Sequence, residues 1–167
     1  GNSFSESFFG SLPTETIKVS EDMISLTEHI FVFHYFKQYN NFELRSPKFF
    51  VKSGEEYIPD DFMDEITLGI LTKNGLVVIV GCSHIGIVNI LKTISERMNM
   101  PIYAVVGGTH LVDADQVRIK KTIEMFQEMK IKKIAVSHCT GEEGILKIRE
   151  DMKEQFVYNN TGHVIQI

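Results

Sequence analysis

Three histidines follow three apolar runs at nearly equal intervals, and this repeating arrangement strongly constrains the fold. The runs, each with its histidine, are Leu76–Val80 with His84, Ile102–Val106 with His110, and Ile134–Val136 with His138. The histidines are 26 and 28 residues apart (84 to 110 and 110 to 138), which is close to one strand-plus-helix unit. Because parallel strands joined by helices all end at one edge of a sheet, the three imidazoles are predicted to converge there. Imidazole at such an edge is suited to metal binding or general-base chemistry.

The segments between these runs have helical periodicity. One predicted helix has the inner stripe Ile87, Ile90, Leu91, Ile94 and Met98, and the next has Ile119, Ile123, Phe126 and Met129. Asp113 or Asp115 is predicted to cap the second helix, and Thr140 with Glu143 has the spacing of a capping box before a third. Asn74-Gly75 lies between two apolar runs and predicts an antiparallel hairpin. The fold class is therefore α/β with a mixed sheet.

The 167 residues fit a single domain with two unlike parts. Residues 1–74 are predicted to be mostly strands and loops, with a loop over 46–61, whereas residues 75–167 alternate strand and helix. A sheet of this kind normally carries helices on both faces, and the first part supplies hardly any. We therefore expect a partial domain whose missing half lies upstream or in a partner chain. The aromatic stretch with Phe31, Phe33, Tyr35 and Phe36 is expected on its open apolar face.

Composition excludes several functions. The 17 basic and 22 acidic residues give a net charge of −5 without a basic cluster, which disfavours a nucleic-acid partner. No apolar run reaches the roughly 18 residues of a membrane span, and no segment resembles a signal peptide. Both cysteines, Cys82 and Cys139, adjoin the histidine turns, which favours free thiols and a cytoplasmic location. Glycine-rich nucleotide-binding motifs are absent from the sequence.

The most specific segment is the turn from Gly81 to Ile87, which joins a strand to a helix. Its backbone amides and the helix N-terminus are predicted to be able to hold an anion. Of Cys82 and His84, one is expected to point into the site while the other supports it; a tight turn with a buried cysteine and a capping histidine is the alternative. An acidic run at 60–65 precedes a strand, and one of its carboxylates could also reach the site.

The two later histidine segments are less specific. Gly107 and Gly108 allow close approach of a ligand or strand, next to His110, which could bind substrate, transfer protons or be structural. A catalytic pair of His138 and Cys139 is disfavoured, because adjacent residues of an extended chain point in opposite directions.

Residues 75–91 (GLVVIVGCSHIGIVNIL), 103–111 (YAVVGGTHL) and 137–141 (SHCTG) resemble the metallo-β-lactamase superfamily, in particular its dihydropterin synthase-like subgroup. The resemblance implies the C-terminal half of a four-layer αββα sandwich with a metal at the sheet edge. His84, His138 and Cys82 would then be metal ligands, His110 a catalytic acid or base, and Thr109 would occupy a pocket-wall position that is often aromatic. The superfamily's HxHxDH motif is absent from the sequence, so the remaining ligands are expected from the missing half or a partner chain.

The expected function is that of a metal-dependent enzyme acting on a phosphorylated or pterin-like small molecule. Zinc is the expected divalent metal, with magnesium, manganese and iron as alternatives. Two other readings stay open: a generic metal-dependent hydrolase of the same fold, and a non-catalytic module that binds an anion or another ligand.

Overall fold

The computed structural model describes residues 4–167. Within this range the chain forms four helices, eight strands and two short 3-10 turns, His138–Thr140 and Lys153–Gln155. In chain order the elements are α1 (Glu6–Gly10), β1 (Met23–Ser25), β2 (Ile30–Phe33), β3 (Phe50–Ser53), β4 (Glu56–Pro59), β5 (Thr67–Thr72), β6 (Gly75–Val80), α2 (Ile87–Met98), β7 (Ile102–Gly107), α3 (Gln116–Glu128), β8 (Lys133–Val136) and α4 (Gly141–Met152).

The main sheet of the described chain has six strands in the order β1-β2-β5-β6-β7-β8. Strands β6, β7 and β8 run parallel, and the other neighbours are antiparallel. The hairpin at Asn74-Gly75 is as predicted, because Thr72 pairs with Gly75 across the turn. The predicted α/β fold with a mixed sheet is therefore confirmed.

Helices α2, α3 and α4 pack on one face of this sheet and form the core. The predicted inner stripes are correct: Ile90 and Ile94 of α2 and Phe126 of α3 are fully buried. They pack in one cluster with the side chains of β6 that point to the same face, including Leu76 and Val78. Burying each such side chain stabilises the fold by about 1.5–3 kcal/mol, so this cluster anchors the strands that carry the histidine turns.

The aromatic stretch was predicted on the open face of the sheet, and this prediction is wrong for Phe31 and Phe33. Phe31 and Phe33 belong to the helix-covered face, and Phe33 packs so closely on Gly69 that a Cβ there would lie 2.5 Å from the ring. They were expected on the open face because alternation alone does not say which face is covered. The opposite face carries aliphatic residues instead, of which Val32 is buried and Leu68 is 37% exposed.

Two further local predictions are wrong. The stretch 46–61 contains the β3–β4 hairpin, in which Val51 pairs with Ile58. Thr140 makes no capping bond to α4, because its hydroxyl is hydrogen-bonded to Thr109. Asp115, by contrast, caps α3 through Arg118 N, as predicted.

The carboxyl ends of β6, β7 and β8 meet at one sheet edge, and hydrogen bonds continue beyond the strands. Gly108 N donates to Gly81 O at 2.9 Å, and Ser137 N donates to Gly107 O at 3.0 Å. The three turns that carry the histidines are thereby held side by side. Among the described helices, none is long and apolar enough to cross a membrane.

Candidate functional site

Cys82, His138 and Cys139 form a cluster at this edge. One ligand atom from each residue lies within 4.8 Å of the others. Zinc sites combine thiolate at about 2.3 Å and imidazole at about 2.0–2.1 Å around one ion, and donor atoms this close can reach a single ion. His138 is exposed and both cysteines are half-buried, so the cluster is accessible from solvent.

Cys139 is the member that sequence reasoning discounted. The chain is not extended there: His138–Thr140 is a 3-10 turn, and His138 has a φ of +53°. In this tight turn neighbouring side chains no longer point in opposite directions, and both reach the cluster. The Cys139 thiol donates to Cys82 O at 3.2 Å. Burial, together with the nearby Cys82, raises the pKa of the Cys139 thiol to about 11.

Gly107 and Gly108 make this close approach possible. A Cβ at Gly108 would lie 2.6 Å from Cys139 Sγ and 2.7 Å from Gly81 O. Gly107 has a φ of +128°, and a Cβ there would lie 2.1 Å from Val80 O. Paired glycines were predicted to allow a neighbouring strand to approach, and these distances confirm it.

His84 and His110 form a second group, with their ring centroids 4.7 Å apart. Phe62 stacks on His84 at 4.6 Å, and Phe49 contacts both imidazoles. His110 is buried; burial and the nearby His84 lower its pKa. Its Nδ1 atom has no hydrogen-bond partner in residues 4–167.

The structure thus divides the four predicted site residues between two neighbouring groups. Cys82 and His138 join Cys139, whereas His84 contacts His110. The groups adjoin each other, because Val112, two residues after His110, donates its backbone N–H to Cys139 O at 3.0 Å. Metal ligation by His84, His138 and Cys82, and catalysis by His110, remain predictions.

The turn amides that were expected to hold an anion are already used. Glu65 accepts from His84 N and Ile85 N, both at 2.9 Å. Glu43 accepts from Val88 N at 2.8 Å and Asn89 N at 2.9 Å, at the start of α2. The amides therefore hold carboxylates, as predicted for an anion, but both carboxylates are the chain's own, so in the described chain these four donors are not free for a bound ligand.

Glu43 is buried and Glu65 is half-buried, and burial raises the pKa of each carboxyl above its ordinary value. Glu65 belongs to the acidic run at 60–65, from which one carboxylate was considered able to reach the site. Glu43 was missed, since no local pattern marks a single glutamate in a loop that is 45 residues from its partner.

Thr109 also differs from expectation. It is fully buried, and its backbone N and hydroxyl contact Thr140 Oγ1 at 3.2 and 3.1 Å. It therefore links the end of β7 to the turn before α4 and does not form a pocket wall.

Comparison of whole structures defines the class. The solved structure of Tm1679, a metal-dependent hydrolase of the β-lactamase superfamily, matches with a TM-score of 0.75 and 35% identity over 85% of this chain. The chain has the metallo-β-lactamase fold, as the resemblance predicted. It covers 56% of the Tm1679 chain. No family model matches the sequence.

Two relatives come from Methanocaldococcus jannaschii. The 7,8-dihydropterin-6-methyl-4-(beta-D-ribofuranosyl)-aminobenzene-5'-phosphate synthase is 41% identical over 108 residues, which is 64% of this chain and 37% of the synthase. An uncharacterized protein is 27% identical over 154 residues, which is 90% of this chain and 55% of that protein. The chain thus spans only about a third to a half of the length of these relatives.

Proposed function

We propose that this chain is part of a metal-dependent enzyme whose metal is held at the edge formed by β6, β7 and β8. The observation that carries the proposal is the convergence of Cys82, His138 and Cys139, with one donor atom from each within 4.8 Å. Two thiols and an imidazole are soft and borderline donors, which suit zinc better than magnesium or manganese. Bound zinc would supply Lewis acidity and lower the pKa of a bound water.

The neighbouring residues have separate proposed roles. His110, which burial keeps neutral to lower pH than an exposed imidazole, accepts or donates a proton at the substrate. His84 is proposed as a further metal ligand in the assembled protein. Glu65 fixes the backbone of the His84 turn and so limits the positions that the imidazole can adopt. Phe49 and Phe62 cover the two rings and reduce their contact with water.

The proposed substrate is a phosphorylated or pterin-like small molecule. Its support is the 41% identity to a synthase whose product name contains a dihydropterin and a 5'-phosphate. A generic hydrolase activity is the second candidate, supported by the 35% identity to Tm1679. Incubating the intact protein with an arylamine ribofuranoside phosphate and a dihydropterin that carries a diphosphate leaving group on its 6-methylene carbon separates the two. A synthase would form the bond between that carbon and the arylamine nitrogen and release diphosphate, with the amine proton going to a base, whereas a hydrolase would not join them.

The rest of the enzyme is proposed to cover the aliphatic face opposite the helices. Leu68 is 37% exposed on this face, and Ile70 and Ile79 are only half-buried. The relatives are longer than this chain, so the covering half is expected in the same polypeptide; a partner chain would serve the same purpose.

The metal proposal is tested by elemental analysis of the intact protein and its His138→Ala variant. We expect stoichiometric zinc in the parent protein and a loss of zinc and activity together in the variant, because removing one ligand weakens the site. His29→Ala is the matched control, since the His29 side chain is 61% exposed and lies away from these turns. Unchanged zinc in His138→Ala would refute the assignment.

A further inference from the structure

A pocket of about 320 Å³ lies beside His110 and is separate from the cysteine cluster. Its walls come from the loop 44–48, from Asp113 and from the first turn of α3. It contains three cationic side chains, Arg45, Lys48 and Arg118, and one carboxylate, Asp113. Lys48 and Asp113 pair at 2.8 Å, so the remaining charge in the pocket is positive.

Arg118 has unusual surroundings. Asp115 holds its backbone at the start of α3 through a 2.8 Å hydrogen bond. Its Nε and Nη2 atoms are buried, yet neither has a hydrogen-bond partner within the described part of the chain. Glu43 attracts it electrostatically but forms no ion pair with it, and the Glu43 carboxylate accepts instead from Val88 N and Asn89 N. Arg118 as a whole is half-buried, but burying these two N–H groups without hydrogen-bond partners costs free energy, and an anion that accepted their hydrogen bonds would offset that cost.

We propose that this pocket binds an oxyanion, a phosphate or carboxylate group, through Arg118 with Lys48 and Arg45. Guanidinium presents a planar pair of N–H donors that matches both groups. His110 lines the same pocket, and its buried Nδ1 atom has no hydrogen-bond partner in the range 4–167.

The position of the pocket deepens the proposed function and rests on it: His110 contacts both the pocket and the His84 ring. A substrate whose reacting end lies at the metal cluster could place an anionic end against Arg118. The pocket then selects for substrates with a phosphate or carboxylate at one end, and this selection does not depend on the metal.

The test is calorimetric titration of the intact protein with inorganic phosphate, and in parallel with acetate, in zinc-loaded and EDTA-treated forms. We expect saturable binding that persists after EDTA treatment, because none of the pocket cations is in the cluster. Arg118→Met is expected to weaken phosphate binding by about tenfold or more, as a charge-assisted pair is lost. Arg149→Met, which changes an exposed arginine of α4 outside the pocket, should bind as the parent does.

A second variant distinguishes a loss of phosphate binding from misfolding of Arg118→Met. Lys48→Met alters an exposed side chain and should weaken phosphate binding by a few-fold. Phosphate should raise the melting temperature of the parent protein but not of Arg118→Met. Tighter binding of phosphate than of acetate identifies a phosphoryl site, and the reverse order identifies a carboxylate site; both orders support an oxyanion pocket. Parent-like phosphate affinity in both variants, or no saturable binding of phosphate or acetate by the parent protein, would refute the oxyanion pocket.

The outcome separates this proposal from the metal assignment. Arg118→Met should keep its full zinc content, and EDTA-treated His138→Ala should bind phosphate as tightly as the EDTA-treated parent. Loss of zinc in His138→Ala with unaltered phosphate binding in Arg118→Met would leave the metal site standing and remove only the oxyanion pocket.

Discussion

Replacing Glu43 with alanine should destabilise the protein more than any change at an exposed glutamate. Glu43 is 1% exposed, and its carboxylate accepts hydrogen bonds from Val88 N, Asn89 N and Asn40 Nδ2 at 2.8–2.9 Å. Alanine leaves three donors without this acceptor, each worth about 1–3 kcal/mol when buried and unpaired. Removing a buried carboxylate returns part of this cost, so we expect a net loss of about 2–4 kcal/mol.

The assay is urea unfolding of the intact protein followed by circular dichroism. Glu128→Ala is the matched control, because Glu128 is exposed at the end of α3, and it should change stability by no more than about 0.5 kcal/mol. A loss below about 1 kcal/mol in Glu43→Ala would refute the view that this carboxylate holds the start of α2 and the histidine turn before it.

The pH dependence gives a second measure of the same residue. Burial raises the pKa of Glu43 above 4.5, while Asn40, Val88, Asn89 and the charge of Arg118 offset part of the rise. The native state therefore keeps this proton to higher pH than the unfolded state does, and stability falls as pH rises from 4.5 through the native pKa. Glu43→Gln cannot titrate, so its stability loss relative to the parent should be smaller at about pH 7 than at about pH 4. A stability loss in Glu43→Gln that grows from about pH 4 toward neutral pH would contradict the conclusion that burial raises the pKa of the Glu43 carboxyl.

Two further predictions concern the cysteine cluster and the open sheet face. Gly108→Ala should lower the zinc content several-fold with little loss of helix signal, because the added Cβ would lie 2.6 Å from Cys139 Sγ and would displace that sulfur. Gly10→Ala is the control, because nothing lies within 4 Å of a Cβ added there. Parent-like zinc content in Gly108→Ala would contradict the packing argument. Residues 1–167 expressed alone should bind a hydrophobic dye or dimerise through the aliphatic face, and Leu68→Lys should reduce both, because Leu68 is 37% exposed there. A monodisperse segment without dye binding would show that this face needs no cover.

Local patterns in the sequence were sufficient to predict the strands and helices of residues 75–167. A continuous apolar run such as Leu76–Val80 and a helical stripe such as Ile87, Ile90 and Ile94 report burial directly, and the direction of parallel strands then places His84, His110 and His138 at one edge. The hairpin at Asn74-Gly75 and the cap at Asp115 also depend only on neighbouring residues. These features were predictable because the interactions that create them lie within one or two turns of the chain.

The composition of the site depended on contacts between distant residues. Glu43 reaches Val88 across 45 residues, Arg118 shares a pocket with Lys48, and the 3-10 turn at His138 brings Cys139 to Cys82. Whether a carboxylate is buried, or an arginine lacks a partner, depends on which segments pack against it, and the local pattern around Glu43 or Arg118 contains no such information. The sequence therefore determined which sheet edge carries the chemistry, and the tertiary structure decided which side chains meet there, because burial and pairing are properties of the packed chain.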